Sequence, residues 1–302
     1  MKIAIPNIGL PYFENIGRCL EAITPILEGN IKVIVWNPHE KPIIDLFDED
    51  GPDLIFMHEQ MLRPEFNMLL QELDFSYVLA GGKPYKELHR PPSVMLTTEA
   101  ALGSFEPSDK AMVTRPCADL LSMRHLTLVG DQWDCRGRNG SSSDALVFTH
   151  PNIKFEDNML SMIDYLCSTH RTKIIGQSPI NSPYYLGKVS LQERAVFIKG
   201  TKLVIDFGSY EFLDAAAIKT GSLLYNPNET AIKTFGTLKE LQNHTSHLLE
   251  DDNALEEYGK KCHDDLIKER GTYHHACHDI FSLLGEASIA AALIDHLEET
   301  LL

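Results

Sequence analysis

Two aspartates, Asp206 and Asp214, stand eight positions apart around a short polar segment in the second half of the chain. The first ends an apolar run that predicts a buried strand, and Gly208, Ser209 and Tyr210 lead from it towards an alanine-rich helix. A serine here is typical of a helix cap, and backbone N–H groups at a helix start suit a diphosphate. This segment is the first candidate for ligand binding, with capping of local elements as the alternative role of both aspartates.

Three more polar loops follow predicted strands of the same half. Thr149 stands at the first such turn, Gln177 and Ser178 follow the next strand, and Gly187 and Lys188 lie in a glycine-led loop before a helix. Ligands of open parallel sheets bind at the carboxyl ends of the strands. A lysine there is a compact cation that suits a phosphate, and a solvated turn residue is the alternative interpretation of Lys188.

The first half supplies candidates for acid–base catalysis. His58 and Glu59 follow one predicted strand, and Glu99 follows another. A carboxylate or an imidazole at such a position can take the proton of an attacking group. Acids also favour the first turn of a helix, so Glu59 and Glu99 have a purely structural alternative.

A metal site receives little support from the sequence. His274, Cys277 and His278 share one predicted helix face, and Cys262 with His263 lies upstream, which is the set of ligand types that zinc prefers. The chain has no Walker A sequence, GxSxG, HExxH or paired CxxC, which excludes the classes of enzyme that depend on those motifs. We therefore predict no metal ligand.

Composition limits the class of protein further. The chain has 302 residues, 43% of them hydrophobic and 23% charged, which suits two globular domains. The six cysteines lack metal-site spacing, and the N-terminus reads as a strand rather than a signal peptide, so we expect a cytoplasmic protein without a membrane span. A formal charge of −16 disfavours a broad duplex footprint or an anionic membrane partner.

The elements that position these residues alternate between strand and helix. In the first half, apolar runs predict buried parallel strands at Lys2–Asn7, Lys32–Trp36, Asp53–His58, Ser76–Ala80 and Ser93–Thr97, with helices at Glu14–Leu27 and Arg63–Leu73. In the second half they predict strands at Ala145–Phe148, Lys173–Gln177, Lys202–Phe207 and Gly221–Tyr225, with helices at Phe155–Thr169, Gln192–Lys199, Asp214–Lys219 and Glu286–Leu302. A polar run at Asp131–Ser143 predicts a linker, which divides the chain into domains 1–138 and 139–302, the C-terminal helix belonging to the second.

The order of elements from Lys173 to Phe281 resembles the C-terminal half of GT-B glycosyltransferases, most closely the group 1, CgeB-like branch from spore maturation and phages. The resemblance implies two Rossmann-like, doubly wound α/β domains that face each other across a cleft. It implies a metal-independent transfer of a hexose from a nucleoside diphosphate sugar, most simply UDP-linked, which is a co-substrate and not a cofactor. The acceptor would bind the first domain. An inverting transfer needs a general base there, and a retaining one does not.

The resemblance also implies residue roles. Asp214 would bind the nucleotide ribose, Asp206 would lie near the sugar, and Gln177 and Ser178 would lie near the nucleobase. The family usually has glutamates where this chain has aspartates. Three alternatives stay open: a phage-type transferase that modifies hydroxymethylated DNA bases, a sugar-nucleotide epimerase, and a binding or scaffold protein that has lost catalysis.

Overall fold

The chain folds into two compact units. The computed structural model describes residues 1–47, 51–82, 88–105, 110–123, 143–150, 153–226 and 234–301, with the side chains of residues 191 and 192 excepted. Met1–Cys117 and Tyr273–Leu302 form the first unit, and Ala118–Thr272 forms the second. The predicted boundary at residue 138 lies outside the described residues, so it stays a prediction. The predicted linker lies outside them as well except for its last residue, Ser143, which begins a strand.

The first unit contains a parallel sheet whose strands follow the predicted apolar runs. The strands are β1 (Lys2–Pro6), β2 (Lys32–Trp36), β3 (Leu54–His58), β4 (Ser76–Ala80), β5 (Val94–Thr97) and β6 (Ala111–Val113), in the order β2-β1-β3-β4-β5-β6. Five of the six were predicted. The three-residue β6 was not, because a run that short carries no periodicity.

Helices cover both faces of this sheet, as the double winding requires. They are α1 (Pro11–Ile23), α2 (Pro64–Glu72) and the short α3 (Glu99–Leu102). On one face Phe56 of β3 packs against Phe13 of α1, with ring centroids 6.3 Å apart. On the other face Phe66 of α2 packs against Tyr77 at 5.2 Å. Side chains of the strands are thus buried under helices on both faces of the sheet.

The C-terminal helices belong to the first unit, which differs from the predicted grouping of the last helix with the second domain. They are named α9 (Tyr273–Leu284) and α10 (Ala287–Leu301), in chain order after those of the second unit. Phe281 packs against Phe56 of β3, and His274 lies between the thiol of Cys19 on α1, at 3.9 Å, and the ring of His296 on α10, at 2.9 Å. The amphipathic pattern predicted the helix but not the sheet on which it packs.

The second unit repeats the architecture. Its strands are β7 (Ser143–Thr149), β8 (Thr172–Gly176), β9 (Thr201–Asp206), β10 (Gly221–Tyr225) and β11 (Thr234–Phe235), all parallel, in the order β11-β10-β9-β7-β8. Its helices are α4 (Asp157–Thr169), α5 (Leu191–Lys199), α6 (Glu211–Ala217), α7 (Leu238–Glu250) and α8 (Asp252–Lys268). Within the described residues, none of the helices is long and apolar enough to cross a membrane.

Candidate functional site

The carboxyl edge of the second sheet gathers most of the predicted ligand residues. Thr149 at the end of β7 pairs with Gly176 at the end of β8, and Asp206 at the end of β9 pairs with Phe148 and Leu224. Because all these strands are parallel, the loops that follow them emerge at one edge. The register thus brings the predicted ligand residues of these loops to one edge of the sheet.

Hydrogen bonds join the loops after β7 and β8. The N–H of Gln177 donates to the carbonyl of Thr149 at 3.1 Å, and the N–H of Gly176 donates to the carbonyl of Gly187 at 3.0 Å. The hydroxyl of Tyr185 donates to the carbonyl of Gly176 at 2.8 Å. Gln177 and Lys188 are exposed and Ser178 is half-buried. These bonds tie the loops that carry Gln177, Ser178 and Lys188 to each other and to the end of β7.

Gly176 is required by this arrangement, whereas Gly187 is not. Both have positive φ, +140° and +93°, but a Cβ on Gly176 would overlap the carbonyl oxygen of Thr149, and a Cβ on Gly187 would meet no heavy atom within 4 Å. We expect Gly176→Ala to lower the free energy of unfolding by about 3 kcal/mol. We expect the matched Gly187→Ala variant to lower it by about 1 kcal/mol, the cost of left-handed backbone alone. Urea denaturation followed by circular dichroism measures both; equal losses would refute the close contact at Gly176.

Asp206 is placed differently from the prediction. Its side chain is fully buried, and one carboxylate oxygen accepts hydrogen bonds from the N–H groups of Gly208 and Ser209, at 2.7 and 2.6 Å, and from the Ser209 hydroxyl at 2.9 Å. The other oxygen accepts from the N–H of Phe212 at 2.9 Å. The amides expected to receive a diphosphate therefore bind the protein's own carboxylate. The observed role of Asp206 is to shape its turn, and its predicted role near a sugar stays a prediction.

The same turn presents Tyr210 to solvent. Tyr210 precedes α6 with a left-handed backbone, φ +66° and ψ +11°, and its side chain is 56% exposed. A non-glycine residue held in this conformation costs free energy that the surrounding bonds must supply. The bonds of Asp206 to the flanking amides supply that constraint.

Asp214 lies in a group that sequence reasoning missed, which we name the Arg194 cluster: Asp119, Arg194, Glu211 and Asp214. The guanidinium of Arg194 lies 2.7 Å from Asp214 and 2.9 and 3.0 Å from the two carboxylate oxygens of Glu211. The other oxygen of Asp214 accepts the backbone N–H of Asp119 at 2.9 Å. The side chains of Arg194, Glu211 and Asp214 are only 20%, 16% and 9% exposed. These contacts span up to 95 residues, and no local pattern encodes them.

Glu211 and Asp214 share one guanidinium, and the pKa of Glu211 is strongly raised. Burial raises the pKa of the Glu211 carboxyl to about 8, against the attraction of Arg194, and the carboxylates of Asp214 and Asp206 raise it further. Perturbed acids of this kind concentrate at functional sites, although structural ion pairs produce them as well. The Arg194 cluster therefore makes the start of α6 a candidate functional position on this edge of the sheet.

The predicted acid–base residues lie at the carboxyl edge of the first sheet. His58 ends β3, and its Nδ1 accepts the N–H of Gln60 at 3.2 Å. Glu59 accepts the N–H of Gly82, beyond the end of β4, at 3.1 Å. Glu99 is exposed at the first position of α3. The fold thus brings the three residues to one edge, where their catalytic roles stay predictions.

A groove of about 290 Å³ opens at the same edge, beside the turn that follows β1. Apolar side chains and charged side chains of α1 both line it, among them Ile5, Phe13, Glu14, Arg18, Glu21 and Val35. This volume is close to the lower end of small-molecule pockets, roughly 300 Å³.

The residues considered for zinc are divided between the two units. Cys262 and His263 belong to the second, where His263 contacts the carbonyl of Ala216 at 3.1 Å, whereas His274 and Cys277 belong to the first. Across the described residues, no three His, Cys, Asp or Glu side chains converge as metal ligands.

Comparison with known proteins gives structural relatives alone. No family model matches this chain, and neither does any curated protein sequence. Among solved structures, a glycosyltransferase from Rickettsia africae is similar with a TM-score of 0.59 at 9% identity, over 94% of this chain and 97% of that one. Anabaena HepE, solved with UDP and glucose, gives 0.54 at 11% identity, over 99% and 100%. UDP-GlcNAc 2-epimerase from Methanocaldococcus jannaschii gives 0.51 at 12% identity, over 89% and 100%.

These likenesses extend over nearly the whole chain and match its two parallel sheets. At such low identity they show the fold and not the reaction. The two α/β units form the GT-B fold.

Proposed function

We propose that this protein is a glycosyltransferase that moves a hexose from a nucleoside diphosphate sugar, UDP-linked, to a hydroxyl of an acceptor. One observation carries the proposal: the fold matches, over 99% of this chain, that of a protein solved with UDP and glucose. The carboxyl edge of the second sheet, where parallel α/β sheets bind ligands, supports it with clustered polar loops. Within the fold we propose that the chain belongs to the CgeB-like branch, from the order of elements between Lys173 and Phe281.

The donor is proposed to bind the second unit. Asp214 would accept hydrogen bonds from the ribose, Gln177 and Ser178 would contact the nucleobase, and Lys188 would neutralise phosphate charge. Thr149, at the end of β7, is proposed to belong to the donor site. We do not place the diphosphate at the start of α6, because the N–H groups there donate to the carboxylate of Asp206.

The acceptor is proposed to bind the first unit, in the groove beside α1. In an inverting transfer, Glu59, Glu99 or His58 takes the acceptor proton as its oxygen bonds to the anomeric carbon. The bond from that carbon to the phosphate oxygen breaks, and the diphosphate leaves with the electron pair. We propose that no metal ion takes part, so transfer should persist in EDTA.

Calorimetry tests the donor site without knowledge of the acceptor. We expect UDP and UDP-glucose to bind and GDP to bind at least tenfold more weakly, the discrimination expected when one buried polar contact is lost. Asp214→Asn should weaken UDP binding by about tenfold in a folded protein. If none of these ligands binds, the enzyme proposal is refuted and a binding or scaffold role remains.

A second candidate, a UDP-GlcNAc 2-epimerase, is favoured by the likeness to the M. jannaschii enzyme. Incubation with UDP-GlcNAc and no acceptor separates the two functions. An epimerase produces a C2 epimer that NMR detects, whereas a transferase leaves the configuration unchanged. Steeply salt-dependent binding of duplex DNA would instead indicate a DNA acceptor.

A further inference from the structure

Arg194 is held in a position that a merely solvated arginine would not adopt. It lies near the start of α5, which Ser190 and Glu193 begin with a capping box, so the helix start is fixed. From there its guanidinium reaches two carboxylates on α6, at 2.7 Å from Asp214 and 2.9 Å from Glu211. The side chain is four-fifths buried, which leaves it little freedom to change partner.

Asp214 is held from two sides. Arg194 donates to one carboxylate oxygen, and the backbone N–H of Asp119 donates to the other at 2.9 Å. Two donors on opposite oxygens fix the plane of the carboxylate as well as its position. A carboxylate oxygen accepts more than one hydrogen bond, so a carboxylate held this way can still receive hydroxyl donors from a ligand.

From this geometry we infer that Arg194 is a positioning residue, which fixes the Asp214 carboxylate for the vicinal hydroxyls of the nucleotide ribose. The inference rests on the proposed function, in which Asp214 receives the ribose. Glu211 anchors the other part of the guanidinium and keeps the fork from rotating. A lysine cannot do the same, because its ammonium is a point charge on a flexible stem without a planar fork.

The contacts themselves argue for more than local stability. Taking a guanidinium and two carboxyl groups out of water costs free energy that such a cluster recovers only in part, and apolar residues of the same volume often stabilise a fold better. The cluster orients the Asp214 carboxylate, and apolar residues in its place could not do so.

The test compares UDP with 2′,3′-dideoxy-UDP by calorimetry in wild type, Arg194→Lys and Asp214→Asn. We expect Arg194→Lys to weaken UDP binding about tenfold but dideoxy-UDP binding less than twofold, since only the first ligand offers hydroxyls to Asp214. The double variant should lose no more UDP affinity than the weaker-binding single variant, because both substitutions remove one interaction.

Arg171→Lys is the matched control. It makes the same substitution in the pair that Arg171 forms with Asp144, at 2.9 and 3.1 Å and at the opposite edge of the second sheet, so UDP affinity should stay within about twofold of wild type. If Arg194→Lys does not fold, the charge-compensated Arg194→Gln/Glu211→Gln variant replaces it, with the same expected loss for UDP.

Three results would overturn the inference alone. The first two are unchanged UDP affinity in the folded Arg194 variant and equal losses for UDP and dideoxy-UDP. The third is additive losses in the double variant, because they would show that Arg194 acts without Asp214. Failure of the wild-type protein to bind UDP would overturn the proposed function together with this inference.

Discussion

Asp206→Ala is expected to lower the free energy of unfolding by about 4 kcal/mol, one of the largest effects of any single substitution in the site. The variant leaves the N–H groups of Gly208, Ser209 and Phe212 and the hydroxyl of Ser209 without the acceptor they have in the wild type. A fully buried donor left unsatisfied costs about 1–3 kcal/mol. The donors of this turn are only partly buried, so hydration limits the total.

Asp206→Asn is the matched control for this substitution. Its amide oxygen can still accept from Gly208 and Ser209, while its NH2 group faces the N–H of Phe212, so a loss of about 1–2 kcal/mol is expected. Chemical denaturation followed by circular dichroism measures both variants.

Hydrogen exchange gives a second measurement at the turn itself. The amides of Gly208, Ser209 and Phe212 should exchange slowly in the wild type and fast in Asp206→Ala. Equal protection in the two proteins would contradict the role of Asp206 as the acceptor that holds the turn.

Asp206 shows how far the sequence could predict this site. The end of β9 and the glycine after it were predicted, because buried parallel strands are continuous apolar runs and glycine marks a turn. The hydrogen bonds of Asp206 match the local capping role that the sequence left as an alternative, and not the diphosphate site proposed for the same amides. A signal existed, since an aspartate followed two and three residues later by turn amides commonly binds them itself.

Arg194 shows the opposite case, in which no signal existed. It lies 20 residues from Asp214 and on another helix, and the pairing of the two depends on how α5 and α6 pack on β9. The predicted domain of the C-terminal helix differs from the observed one for a related reason. The amphipathic pattern of this helix states that one face is buried, but only tertiary packing selects the sheet of the first unit. Elements were thus predictable from local periodicity, and partners between elements were not.

Arg194→Met is expected to lower the free energy of unfolding by about 3–5 kcal/mol at pH 8, because it leaves the buried carboxyl groups of Asp214 and Glu211 without their cation. The loss should shrink as the pH falls, and Glu211 explains why. Its pKa is raised from 4.5 to about 8 by burial, so the folded wild-type protein keeps a proton that the unfolded chain releases in this window. The stability that this proton contributes is complete below pH 4.5 and is lost as the pH rises towards 8.

In Arg194→Met the attraction that opposes this shift is gone, so the folded protein holds the proton more firmly. Between about pH 5 and pH 7 both folded proteins hold the proton, so their stabilities should fall with the same slope. Near pH 8 the folded wild type releases its proton and its stability levels off, whereas the stability of Arg194→Met should continue to fall, which denaturation midpoints between pH 6 and pH 9 measure. Adding Glu211→Gln removes the titrating carboxyl, so the double variant should regain part of the lost stability at pH 8 and lose the extra pH dependence. A double variant as unstable and as pH-dependent as Arg194→Met would show that the titration of Glu211 is not the cause.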